Sequence, residues 1–171
     1  AYADCNPFAY APASAPHVAA RLAQQPVSLD AIVAAHARID AQADRVLVEG
    51  AGGWLAPFSE TLSQTDVARA LDLRVVLVVG VRLGAINHAL LSLTALHQNG
   101  CRVLGVVLND TVPIEAEQAY IHDDNALVIA RLGRAQVLRV PYLGPQQERA
   151  SNMAQLDALL DGTHFLKEAL Q

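Results

Sequence analysis

A chain of 171 residues with 53% hydrophobic residues has enough material for one buried core. Aromatic residues make up only 5%, so the core is built from Val, Leu, Ile and Ala, which suits helices packed on buried parallel strands better than a small sandwich. A net charge of -5 with 12 scattered Lys and Arg excludes a general nucleic-acid surface, and no apolar run reaches membrane-spanning length.

The opening segment, Tyr2 to Pro26, is punctuated by Pro7, Pro12, Pro16 and Pro26 and reads as an irregular approach with one short helix at Val18 to Gln24. It has neither the basic nor the apolar region of a signal peptide, and it lacks an initiator Met. Further sequence is therefore expected ahead of Ala1. Ser28 offers an N-cap, and Leu29, Ile32, Val33 and Ile39 recur at helical spacing up to about Asp44. Arg45-Val46-Leu47-Val48 reads as a short strand ending at Glu49-Gly50, followed by a glycine-rich loop, Gly50-Ala51-Gly52-Gly53, and Trp54. Ser63 and Asp66 have capping-box spacing for a helix through Leu71.

Val75 to Gly80 is uniformly apolar, as expected for a strand buried on both faces. Gly84 opens a helix from Ala85 to Gln98, and Asn99-Gly100 closes it. A strand at Val103 to Leu108 ends at Asn109-Asp110, a helix runs from about Glu115 to Arg131, and a strand at Val137 to Val140 is stopped by Pro141. Met153, Leu156, Leu160 and Leu166 mark a final amphipathic helix. The alternation predicts a single α/β domain over residues 1–171, a three-layer parallel sheet with helices on both faces. Ligands of such sheets gather beyond the carboxyl ends of the strands, where the polar and glycine-rich clusters fall.

A strand that delivers one carboxylate, Glu49, into a glycine-rich loop is an arrangement by which nucleotide-dependent enzymes hold magnesium. Glycines let backbone N–H groups approach an anion closely. Taken alone, the same string is a turn with a solvated Glu, Asn109-Asp110 is a plain turn, and Gly84 is an ordinary helix entry. The histidines show no metal spacing: His36 edges a packed helix face, and His97, His122 and His164 read as surface residues. His17 and His88 are assigned structural roles, and Trp54 is assigned to packing. Cys5 and Cys101 lack C-x-x-C spacing, which favours a reducing cytoplasm over a disulfide.

The string Val48-Glu49-Gly50-Ala51-Gly52-Gly53-Trp54 resembles a loop of the dethiobiotin synthetase family. The resemblance extends through Asn6-Pro7-Phe8, Ala13 to His17, Val79 to His88, Leu108-Asn109-Asp110 and Val140-Pro141-Tyr142-Leu143. It implies a P-loop NTPase-like fold and the ATP- and Mg2+-dependent closure of diaminopelargonic acid with CO2 to dethiobiotin, by a cytoplasmic homodimer. It also implies Glu49 as a magnesium ligand and Gly50, Ala51 and Gly52 as lining of the cleft. Asn109 would read adenine, its amide matching the base's N7 and N6 amino group. Asp110, Pro141, Tyr142, Leu143 and Glu148 would complete the nucleotide contacts, and Gly84, Ala85, Asn87 and Tyr120 would hold the substrate carboxylate.

The chain departs from the family in having no glycine-rich loop that ends in Lys-Ser or Lys-Thr; its only lysine is Lys167. The family's strand and loop of that kind, and its catalytic lysines, are expected to precede residue 1, so no catalytic residue is assigned in this chain, and these residues alone are expected to be inactive. A cobyrinate-type amide synthase of the same superfamily and a non-catalytic nucleotide-binding or oligomerising remnant stand as alternatives. The dimer interface is expected on the helix Ala85 to Gln98 and the helix after Asp110, with Ala89 and Leu93 facing the partner.

Overall fold

The computed structural model describes residues 2–145 and 149–161. The chain divides into two compact units, Ala1–Leu73 and Arg74–Gln171. The first carries helices α1 (Tyr2–Cys5), α2 (Pro16–Leu22), α3 (Leu29–Asp40) and α4 (Gln64–Ala70). Small buried residues, Ala19, Ala20, Ala35 and Ala68 beside Val67, allow close packing in this unit. Asp4 of α1 accepts from Arg38 Nε of α3 at 2.6 Å, which ties the amino-terminal turn to the longest helix here.

Helix starts follow the sequence signals. Ser28 Oγ accepts from the Ala31 N–H at 3.3 Å. At α4, the N–H and Oγ of Ser63 both donate to Asp66 Oδ2 at 2.7 Å. Those bonds, the side-chain one foremost, hold the Asp66 carboxyl below the usual carboxylate value of 3.8.

Two expectations are corrected in this unit. Tyr2–Cys5 is a helical turn rather than extended chain. Arg45 to Val48 forms no strand: the segment is irregular, with Leu47 96% exposed and Val48 39% exposed. Apolar composition supplies β-propensity, but a strand exists only when a neighbour accepts and donates its backbone hydrogen bonds. Among the described residues, no β-ladder includes Val46 to Val48.

The second unit is a parallel sheet of β1 (Arg74–Gly80), β2 (Arg102–Asn109) and β3 (Val137–Val140), in that spatial order. Helices α5 (Ala85–Gln98) and α6 (Ala119–Gly133) connect the strands, and α7 (Arg149–Asp161) follows β3. A short 3-10 turn, Ala116–Gln118, precedes α6 where the sequence suggests continuous helix. Val106, Leu108, Leu93, Leu96 and Ile129 are fully buried and form the core beneath α5 and α6. On the opposite face Leu138 and Val140 pack with Val107, Leu143 and the α7 residues Leu156, Leu159 and Leu160. Helices thus cover both faces of β2 and β3, but the expected burial of β1 on both faces is corrected: Val78 is 66% exposed, because β1 is the edge strand and α7 packs over β3.

The placement of Ala89 and Leu93 at a subunit interface is corrected. They are 0% and 1% exposed within this unit, because their side of α5 lies on the sheet and on α6. His97 is exposed, as the sequence suggests, and its Nε2 lies 3.1 Å from the Gly133 carbonyl, joining the ends of α5 and α6.

Candidate functional site

The register of the sheet brings several sequence-predicted residues to one rim. Gly80 is the Cα partner of Asn109, and Asn109 is the partner of Val140, so three strand ends lie side by side. Beyond them come Gly84 with the start of α5, then Asp110, and then Pro141-Tyr142-Leu143. The backbone there is locked. Val81 N–H donates to the Asn109 carbonyl at 2.8 Å, and Asp110 N–H donates to the Val140 carbonyl at 2.9 Å. Asn109 is half-buried, Pro141 is exposed and Tyr142 is 38% exposed, so the rim is open to a ligand.

The Asn109 side chain follows Val107 on the α7 face, since alternate strand residues share a face. Asp110 takes the other face. Its carboxylate is fully buried, with Oδ1 2.7 Å from His122 Nδ1 and Oδ2 accepting from Arg139 Nε at 3.2 Å and Nη2 at 3.0 Å. Arg139 Nη1 also donates to Asp123 at 2.7 Å. Burial opposes the guanidinium charge, but hydrogen bonds to Asp110 and Asp123 outweigh it and raise the Arg139 pKa. The assignment of His122 to the surface is therefore corrected; its side chain is 18% exposed and bridges α6 to β2.

Asn152 of α7 donates to the carbonyls of Gly144 at 3.5 Å and Pro145 at 3.1 Å, which steadies the loop after β3. Glu148, a sequence-predicted nucleotide contact, lies outside the described residues, as do His164, Leu166 and Lys167.

At the start of α5, Gly84 adopts φ 90°, a conformation that glycine accepts at little cost. The Ala85 N–H is taken by the Arg82 carbonyl at 2.9 Å, and the Ala85 methyl is buried. Among the described residues, the amides of Ile86 and Asn87 have no backbone acceptor, leaving them for an anion at a helix N-terminus. Tyr120, on the first turn of α6, is 65% exposed.

In the amino-terminal unit, the loop Gly50-Ala51-Gly52-Gly53 is shaped by a residue that the sequence does not advertise. Gln64, nearly buried, donates from Nε2 to the Gly53 carbonyl at 2.6 Å, and its Oε1 lies where a Cβ on Gly50 would sit. Gly52 has φ 84°. Glu49 is exposed. Among the described residues, no group of three or more His, Cys, Asp or Glu side chains could hold a metal. One exposed carboxylate fits magnesium, which commonly takes one or two protein carboxylates and completes its shell with water and phosphate oxygens.

A parallel sheet with Gly84, Asn109 and Pro141 to Leu143 gathered beyond its strand ends defines an α/β protein of the kind that binds ligands at that rim. In agreement, the family described as "AAA domain" matches residues 1–148. The chain is 42% identical over 151 residues to the ATP-dependent dethiobiotin synthetase of Xanthomonas oryzae, covering 88% of this chain and 66% of that one. It is 41% identical over 156 residues to the enzyme of that name from Xylella fastidiosa, covering 91% and 68%. It is 46% identical over 112 residues to that of Pseudescherichia vulneris, covering 66% and 47%. The chain belongs to the dethiobiotin synthetase family, and spans between about half and two thirds of the length of these relatives.

Proposed function

We propose that this chain serves the ATP- and Mg2+-dependent conversion of diaminopelargonic acid and CO2 to dethiobiotin in biotin synthesis. The observation that carries the reading is the juxtaposition of Asn109, Pro141-Tyr142-Leu143 and the opening of α5 at one rim of the sheet. Asn109 reads adenine, the peptide run from Pro141 to Leu143 frames the base, and the Asp110 backbone fixes the strand end between them. The turn at Gly84 and the free N–H groups of Ile86 and Asn87 seat the substrate carboxylate, Ala85 packing beneath them, with Tyr120 as a further contact. Gly50, Ala51 and Gly52 approach the nucleotide through backbone N–H groups. Glu49 holds magnesium, which when bound neutralises phosphate charge. Residues 1–171 belong to one α/β domain in this reading, working in a reducing cytoplasm, where Cys5 and Cys101 remain free thiols.

The test is adenine recognition. In a chemical-shift titration with AMP, the amides of Asn109 and Tyr142 respond, and Asn109→Ala weakens binding by about tenfold, the worth of one two-point base contact. Unchanged affinity in that variant would reject the base-reading role.

Turnover is a separate matter. The steadying of a transferring phosphoryl group needs cationic groups, and the sole lysine is Lys167. The purified 171-residue chain is expected to form no dethiobiotin from ATP, diaminopelargonic acid and bicarbonate. Detectable product, free of any longer enzyme, would refute that.

Homodimerisation rests on apolar residues left outside the core: Leu91 on α5 and Leu127 on α6 are 61% and 68% exposed. Replacing both by Glu is expected to convert a dimer to a monomer in sedimentation velocity. A dimer that persists would place the interface elsewhere.

A further inference from the structure

We infer that Arg139 and His122, acting through Asp110, are positioning residues that set base selectivity at Asn109. The inference rests on the reading that Asn109 contacts adenine, and it concerns what holds that side chain in register. Adenine and guanine differ at the position an Asn amide would read: adenine presents an amino donor where guanine presents a carbonyl acceptor. An amide distinguishes them by direction, so it must be held to about 0.5 Å and 10–20°.

The structure supplies such a hold from behind. Asn109 and Asp110 are adjacent and face opposite sides of the sheet. The Asp110 carboxylate, fully buried, receives hydrogen bonds from Arg139 of β3, at 3.0 and 3.2 Å, and lies 2.7 Å from His122 of α6. This carboxylate ties together the ends of β2 and β3 and the first turn of α6. The peptide joining Asn109 to Asp110 cannot tilt without breaking those bonds or the ladder bond to Val140. Arg139 is held in its turn by Asp123, at 2.7 Å. Polar groups that sit on the face away from the ligand but share a peptide with the reading residue act on the base through geometry alone.

The experiment uses the 15N-labelled 171-residue chain, titrated separately with AMP and GMP while the Asn109 and Tyr142 amides are followed. The wild type is expected to prefer AMP. Arg139→Gln is expected to lower the AMP-to-GMP affinity ratio by about threefold or more, as for neighbouring coupled residues. His122→Ala is expected to lower it less. Asp123→Ala, which removes an outer contact of Arg139 from a side chain 66% exposed, is expected to lower it least. A purely structural role would change thermal stability without moving that ratio. If Arg139→Gln fails to fold, His122→Ala decides. A wild-type ratio in both variants overturns the inference and leaves adenine recognition standing. Equal binding of AMP and GMP by the wild type overturns the reading of Asn109, and this inference with it.

Discussion

Gly50→Ala is expected to disorganise the glycine-rich loop, although the change adds only one methyl group. The new Cβ would overlap Gln64 Oε1, so Gln64 must swing aside. That side chain is 9% exposed and donates to the Gly53 carbonyl at 2.6 Å. Its displacement leaves a nearly buried amide without its partner, at a cost of about 1–3 kcal/mol. The loop that carries Glu49 then loses the strut that shapes it. Two measurements separate this from generic damage. Thermal unfolding of Gly50→Ala should show a lowered Tm, and Gln64→Ala combined with Gly50→Ala should be less destabilised than the sum of the single variants. Strict additivity would show that the two positions do not meet.

Asp110→Ala is expected to be more destabilising. Asp110 neutralises Arg139 and partners His122, and its removal leaves a largely enclosed guanidinium facing an apolar methyl. Breaking a buried ion pair on one side costs about 3–5 kcal/mol. Because Arg139 keeps 24% of its side chain exposed and retains Asp123, the expected loss is at the lower end, about 3 kcal/mol. Asp110→Asn retains shape and one acceptor and should lose less. Urea unfolding of the three proteins checks the order, and a loss under about 1 kcal/mol for the Ala variant would show that the pair is not truly enclosed.

The separate expectations for Asn109 and Asp110 illustrate how adjacent residues divide labour. The dipeptide reads as a turn or as part of a nucleotide contact. In the structure its first member stands on the open rim, and its second is the fully buried centre of an ion-pair cluster. Backbone position is what Asp110 offers a ligand, since both its carboxylate oxygens are already engaged.

By itself the sequence determined β1, β2, β3, α5 and most of α6, because the strands of a parallel sheet read as unbroken apolar runs, even in β1 where Val78 stays exposed, and helices announce themselves by period and caps. The glycines and amides beyond those strands were legible for the same reason: chemistry that departs from an apolar run is visible without coordinates. Only the tertiary structure decided the fate of Val46 to Val48, whose apolar run finds no ladder partner among the described residues. It alone revealed Gln64 beneath the glycine loop and the meeting of Asp110 with Arg139 and His122. A lone Gln, Arg or His carries no local pattern that distinguishes a solvated side chain from a buried strut. The partners of these residues are chosen by sheet register and helix packing, which act between segments far apart along the chain.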